Sequence, residues 1–186
     1  MHTTLVPEPI KLTYQDFCAL PDDGRRYEIL DGDLYMSPSP EEPHQNVVGN
    51  LFAILREHVR RNKLGKVYVA PFDVLLDEHN IVEPDIIFVS NAKRSILTRK
   101  NIKGAPDLLV EALSPFSGER DLRDKRSLYA RCGVEWYWIV DPEKKTVLEL
   151  RLIERAYAVA SDTKDPGPFT PALFLGLRID LPELWE

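Results

Sequence analysis

Cysteine is scarce: Cys18 and Cys132 are too few and too far apart for a disulfide framework or a thiolate zinc site. Each is expected as a small buried apolar residue. Long apolar runs are missing too, and none approaches the ~20 residues needed to span a bilayer. The N-terminus, MHTTLVPEPI, has neither the charged start nor the apolar core of a signal peptide, so a cytoplasmic protein without a membrane partner is expected. A basic excess is also absent, since 24 Lys and Arg against 30 Asp and Glu give a formal charge of −6. General nucleic-acid binders carry the opposite balance, because phosphate neutralisation dominates their affinity. No repeat or linker interrupts the 186 residues, which suit one domain with one core.

Hydrophobic residues make up 44% and charged residues 29%, the composition of a globular chain. The positive charges that exist are clustered. Arg56, Arg60, Arg61, Lys63 and Lys66 form one group, and Lys93, Arg94, Arg99, Lys100 and Lys103 a second. Arg120, Arg123, Lys125, Arg126 and Arg131 form a third. Charge runs are commonly no more than solvated faces, and for the first two that reading competes with a nucleic-acid contact, which the net charge disfavours without excluding.

Along the chain, Thr13 and Asp16 have the spacing of a helix N-cap, with a short helix through Leu20. Arg26–Leu30 and Asp33–Met36 flank Asp31-Gly32, a strong hairpin signal. The proline-rich SPSPEEP connects this hairpin to a helix from His44 to about Arg61, where Val47, Leu51, Leu55 and Val59 recur every fourth residue. Lys66–Leu76, Ile81–Ser90, Asp107–Leu113 and Trp136–Val140 read as strands, and residues 118–132 as a helix. Residues 91–105 are a loop or short helix. Thr146–Leu152 and Ala156–Ala160 read as a hairpin, and Leu173–Leu181 as a last strand. The expected fold is α/β or α+β, a mixed sheet flanked by helices. The N-terminal helix and hairpin occupy 13–36, the core about 44–142, and the C-terminal hairpin and tail 143–186.

Chemistry enters where charge interrupts apolar pattern. In IVEPDIIFVS, alternation puts Glu83, Asp85, Ile87 and Val89 on one face, and Pro84 marks an edge or bulge because it cannot donate to a ladder. In DLLVEAL, Glu111 lies in a strand otherwise built for burial on both faces. A buried carboxylate neutralises, pairs or binds a metal; the plain alternative is a glutamate facing solvent or an arginine. Leu122, Lys125, Tyr129 and Cys132 share one helix face, so Lys125 sits on a core-facing stripe and calls for an acidic partner. Asp121, one turn earlier, could supply that partner and leave nothing to explain. Two orphan acids and an orphan lysine in adjacent elements are explained together by a hydrolytic metal site. Hard Mg²⁺ or Mn²⁺ takes one or two carboxylates and keeps several waters, and a lysine orients the attacking water or neutralises developing charge.

Glu28, on the first hairpin strand, is a possible third carboxylate, and its alternative is an exposed strand residue. His44 opens the long helix on the same face as Val48, Leu51 and Leu55, where a hydrogen-bonded packing role competes with a functional one. Ser114 and Ser117 suit capping of the following helix. Trp136, Tyr137 and Trp138 suit core packing better than base stacking.

Taken together, RYEILDGDLYMSPSP, the helix opening at His44, VEPDIIFVS, DLLVEALSP, the D-x-x-x-K helix, GVEWYWIVDP and FLGLRIDLPEL resemble the Uma-type endonuclease family. That family was once catalogued only as a domain of unknown function, is abundant in cyanobacteria, and belongs to the PD-(D/E)XK, restriction-endonuclease-like superfamily. The resemblance runs from about Thr13 to the C-terminus. It implies a central mixed sheet, a Mg²⁺ or Mn²⁺ site at Asp85 and Glu111, DNA as substrate, and, by analogy with two-strand cutters, a homodimer. The superfamily lysine two residues after the glutamate is here Leu113, so Lys125 on the next helix would take its place. Two other readings compete: a weak or inactive nuclease-fold module with a binding or regulatory role, and a hydrolase for a smaller phosphate ester.

Overall fold

The computed structural model describes residues 10–37, 39–114 and 118–186, side chains of 118–122 excepted. The chain opens with α1 (Tyr14–Phe17), β1 (Arg26–Leu30), β2 (Asp33–Ser37) and α2 (Glu42–Arg61). Next come β3 (Gly65–Val69), β4 (Val74–Asp77), β5 (Asn80–Val82), β6 (Ile86–Ser90), a 3-10 turn at Arg94–Ile96 and β7 (Ile102–Lys103). Then follow β8 (Leu108–Ala112), α3 (Gly118–Arg131), β9 (Trp136–Asp141), β10 (Thr146–Ile153) and β11 (Ala156–Lys164). The short β12 (Pro168–Phe169), β13 (Ile179–Asp180) and α4 (Pro182–Trp185) close it. No helix of the described residues is long and apolar enough to cross a membrane.

The fold is mixed α+β as expected, and its strands are divided between two mixed sheets and a small antiparallel pair, β12 with β13. The six-stranded sheet runs β11-β10-β9-β8-β6-β3, with β8 and β9 parallel. The five-stranded sheet runs β2-β1-β5-β4-β7 and takes in the N-terminal hairpin. Two expected strands are each cut at a proline and shared between the sheets. Lys66–Leu76 divides at the Ala70-Pro71 peptide into β3 and β4, and Ile81–Ser90 divides around Pro84 into β5 and β6. A residue without an N–H cannot continue a ladder on both sides, so the chain changes sheet there. Face alternation therefore does not run through Glu83 to Asp85: Val82 packs with Ile87 and Val89, away from Ile86 and Phe88.

Two apolar layers follow. On one face of the six-stranded sheet, Val47, Leu51, Leu55 and Val59 of α2 meet Ile86, Phe88, Leu108, Val110, Trp138 and the C-terminal Phe169 and Phe174. On the other, Leu128 and Tyr129 of α3 meet Ile87, Leu109, Tyr137 and residues of the second sheet such as Val74 and Val82. The N-terminal hairpin turns at Asp31 and Gly32, φ 53° and 90°, as a two-residue loop demands. Gly32 is also fixed by space, since a Cβ there would stand 2.6 Å from the Lys11 Cβ. Thr13 and Asp16 form a reciprocal capping box on α1. The expected strand over Leu173–Leu181 reduces to β13, because this segment turns to drop Phe174 into the core. Cys18, expected to be buried, is exposed, and Cys132 is half-buried.

Candidate functional site

Asp85 and Glu111 meet at one end of the six-stranded sheet, where Ile86 of β6 pairs with Val110 of β8. Each carboxylate is anchored through one oxygen. Asp85 Oδ2 accepts from the Ala112 amide at 2.9 Å and from His44 Nε2 at 3.1 Å. Glu111 Oε1 accepts from the Tyr129 hydroxyl at 2.6 Å and from Lys125 Nζ at 3.0 Å. Among the described residues, Asp85 Oδ1 has only the distant Arg26 guanidinium, 3.9 Å away, and Glu111 Oε2 has no hydrogen-bond donor.

The structure brings the lysine to both of its acidic neighbours. Lys125 Nζ lies 3.0 Å from Glu111 Oε1 and 2.9 Å from Glu28 Oε2. Glu28 Oε1 accepts in turn from the Glu83 amide at 2.8 Å, tying β1 to the turn before β6. Arg26 completes the ring, with its Nε 2.6 Å from Glu83 Oε2 and its Nη2 donating to the Glu83 carbonyl. Glu28, Asp85 and Glu111 are all buried, so Glu28 is not the exposed strand residue its sequence position allowed. The Asp121 side chain, the other expected partner of Lys125, lies outside the described residues, as does Ser117. Ser114 is half-buried next to that segment. Trp136, Tyr137 and Trp138 are core residues.

The electrostatics follow from crowding. Burial pushes the Glu111 carboxyl up to about 7; the Lys125 charge opposes the rise, and the Asp85 and Glu28 charges add to it. Burial works against the Lys125 ammonium, yet Glu111 and Glu28 hold it well above the ordinary lysine value. Burial also acts to raise Asp85, but the His44 bond, the Ala112 amide and the Arg26 charge keep it below the usual aspartate range. Four carboxylates, Glu28, Glu83, Asp85 and Glu111, thus share two fixed cations, Arg26 and Lys125. Because an ionised Asp85 can only accept, His44 donates through Nε2. In the neutral ring Nδ1 is then an acceptor, and no partner meets it among the described residues.

Three participants escaped the sequence reading. Tyr129 was visible only as an aromatic on the packing face; its position one turn after Lys125 was the signal that it could reach the same carboxylate. Arg26 and Glu83 needed the sheet exchange at Pro84 to meet, and local periodicity gave no hint of it.

Among the described residues no three His, Cys, Asp or Glu side chains form a preformed metal cluster. The donor chemistry nonetheless suits a hard divalent ion. Among the described residues, two carboxylates are pinned by one oxygen and leave the other undonated, and the surrounding carboxylates outnumber the cations.

A family model described as "Uma2: Putative restriction endonuclease" matches residues 14–182. Among solved structures, one described as a "putative nuclease belonging to DUF820 from Anabaena variabilis ATCC 29413" is similar at TM-score 0.77 and 20% identity. That match covers 95% of this chain and 98% of the other, and at such identity it establishes the fold. No curated protein matches.

Proposed function

The chain belongs to the Uma2 family, and we propose that within it this protein is an endonuclease that hydrolyses phosphodiester bonds in DNA with Mg²⁺ or Mn²⁺. Asp85 and Glu111 would hold the ion, and Lys125 would serve as their basic partner. The observation that carries this reading is the matched pair of half-anchored carboxylates: among the described residues no donor lies within hydrogen-bond distance of Asp85 Oδ1 or Glu111 Oε2, and carboxylates outnumber cations around them. A bound ion would polarise the phosphoryl oxygen and lower the pKa of a coordinated water.

The chain's own groups divide the remaining work. Tyr129 and His44 hold the carboxylates in one orientation, which limits the reorganisation the site needs on binding. Glu111 and Glu28 favour the charged form of Lys125, which suits it to neutralise charge and orient water or phosphate. Glu28 keeps Lys125 within reach of Glu111. Leu113 occupies the place two residues after Glu111 and carries no charge, so the ammonium must come from α3.

One feature favours the second reading, a nuclease-fold binding or regulatory module: the Lys125 ammonium is engaged by two carboxylates at once. Calorimetric titration with Mn²⁺ and cleavage of supercoiled plasmid separate the two. The nuclease reading expects wild-type protein to bind Mn²⁺, Asp85→Ala and Glu111→Ala to lose most of that affinity, and Lys125→Ala to bind metal but cut poorly. Equal binding by wild type and both carboxylate variants would sink the metal site. Undiminished cutting by Lys125→Ala would remove the lysine from the chemistry.

A further inference from the structure

In a chain of net charge −6, two segments carry no acid at all. Residues 60–66 hold Arg60, Arg61, Lys63 and Lys66, and residues 91–106 hold Lys93, Arg94, Arg99, Lys100 and Lys103. The fold joins them. Gly65, at the start of β3, pairs with Ser90, at the end of β6. The Asn91 amide donates to the Leu64 carbonyl at 3.0 Å, and Asn91 Nδ2 donates to the Lys63 carbonyl at 2.7 Å.

This junction is not at the carboxylate site. Asp85 and Glu111 lie at the end of the sheet where Val69 pairs with Ile86, and the basic junction lies where Gly65 pairs with Ser90. Four residue steps of β strand separate the two ends, about 14 Å. The acidic cluster and the Gly65–Ser90 junction are therefore distinct regions of the six-stranded sheet, while Lys103, on β7, lies in the five-stranded one.

The basic region is also built to hold its shape. Arg99 and Lys100 form the exposed tip of a turn in which Thr98 Oγ1 accepts from the Lys100 and Asn101 amides, at 3.2 and 3.0 Å. Buried Asn101 anchors the turn by donating to the Tyr14 hydroxyl at 2.8 Å. Lys93 is spent on structure, with Nζ donating to the Ala105 and Pro106 carbonyls. Arg60 and Arg61 share Glu57. Among the described residues no acidic partner meets Lys63, Lys66, Arg94, Arg99, Lys100 or Lys103.

We propose that this face, built by residues 60–66 and 91–106, is a docking surface for the phosphate backbone of duplex DNA, separate from the carboxylate site. Neither segment contains Phe, Trp or Tyr, so it offers no platform for stacking single-stranded bases. Ile96, Leu97 and Ile102 turn into the core, which leaves one exposed leucine, Leu64, in place of the broad apolar face a lipid surface would take. Unpaired cations held on a rigid frame suit phosphates, whose neutralisation releases counterions. The choice of DNA rests on the nuclease reading; the binding itself requires neither metal nor the carboxylates.

The test is fluorescence anisotropy with a labelled 30-bp duplex, in EDTA, over a range of salt concentrations. Wild type is expected to bind under these metal-free conditions. Replacing Arg94, Arg99, Lys100 and Lys103 by alanine should weaken binding at least tenfold and flatten the log–log salt slope by about 0.9 for each phosphate no longer neutralised. A control replacing Arg151, Arg155, Lys164 and Arg178 by alanine changes net charge equally and should stay within twofold of wild type. Both quadruple variants alter exposed side chains, and circular dichroism with thermal melts checks that they fold. The proposal is overturned if wild type ignores the duplex, if the face variant binds like wild type, or if the control loses as much. Tighter binding to single-stranded RNA or to phosphatidylserine vesicles than to the duplex also overturns it. Loss of Mn²⁺ binding with duplex binding intact would refute the nuclease site alone, and the converse would refute this surface alone.

Discussion

Two glutamates on the same six-stranded sheet are buried on opposite faces, and their surroundings differ in one respect. Glu149, on β10, faces the α2 layer and is fully enclosed. Its Oε1 accepts from Trp138 Nε1 at 3.1 Å and from the Leu173 amide at 3.4 Å, while Oε2 accepts from the Ala172 amide at 2.9 Å. Both oxygens are used, by groups that cannot move without moving the core. Glu111, two strands away, faces the α3 layer with one oxygen held by Tyr129 and Lys125 and the other without a donor among the described residues. A carboxylate satisfied on both sides pins the fold, whereas one satisfied on a single side keeps capacity for something the chain does not supply. Burial alone does not distinguish these two glutamates; the acceptor capacity left over among the described residues does.

The largest expected effect tests the functional side of that contrast. Glu111→Gln should abolish metal-dependent cleavage by at least about 10³-fold, because several kcal/mol of charge stabilisation are lost at about 1.4 kcal/mol per decade. The same variant should fold as well as wild type, measured by thermal denaturation. Glu149→Ala should do the reverse. It strands the Trp138 indole and two backbone amides, costing about 3 kcal/mol or more, with cleavage retained at temperatures where the protein remains folded. If Glu149→Ala folded normally but failed to cut, or Glu111→Gln unfolded, the two roles would be exchanged.

Lys125→Met sharpens the comparison within the α3 layer. It leaves Glu28 and Glu111 facing each other without their shared cation, and breaking a buried pair from one side costs about 3–5 kcal/mol. The loss should be larger at pH 8 than at pH 6. Glu111 sits at about 7 when folded and near 4.5 otherwise, so folding favours its protonated form. Stability contributed by that group is therefore present below about 4.5 and declines as pH rises through about 7. In metal-free wild type the decline should be on the order of 3 kcal/mol or less, and Glu111→Gln should flatten it. A stability curve of the same shape in Glu111→Gln would show that another group causes it.

Much of this was legible in the sequence, for particular reasons. Glu111 and Lys125 stood out because each breaks an apolar pattern, and a charge placed where a period demands a hydrophobe has to be met in space. The DG turn, the Thr13 cap and the α2 stripe depend on neighbours within a few residues, and all appear where local chemistry puts them. The second sheet was not legible. Pro71 and Pro84 announce that a ladder stops, but not that the chain resumes in another sheet. Hence Arg26, which reaches Glu83 across 57 residues, could not be foreseen. Glu149 was hidden for the opposite reason: in TVLELRL it alternates with Leu148 and Leu150 and shares its face with Arg151, so it reads as a solvent-facing position, and its donors come from the distant loop at Ala172 and Leu173.

The smallest expected effect probes the hinge of the contrast, the single hydroxyl that occupies half of Glu111. Tyr129 is fully buried, and its phenol pKa is driven well above the ordinary value, first by burial and then by the Glu111 charge. It therefore remains a donor across the working pH range. Tyr129→Phe keeps the ring and its edge-on packing against Tyr137, so the core should hardly change. What is lost is a hydrogen bond to a carboxylate, about 1–2 kcal/mol when that group is ionised and less when it carries a proton. Since the phenol favours the ionised form, its removal should push the Glu111 carboxyl higher still. The cleavage profile should then move to higher pH, with the plateau rate largely regained in alkaline buffer. A structural role alone would lower stability equally at every pH and leave the profile in place. A shifted profile with near-normal stability would show that Tyr129 sets the charge on Glu111, which Glu149, tied at both oxygens, has no equivalent means to adjust.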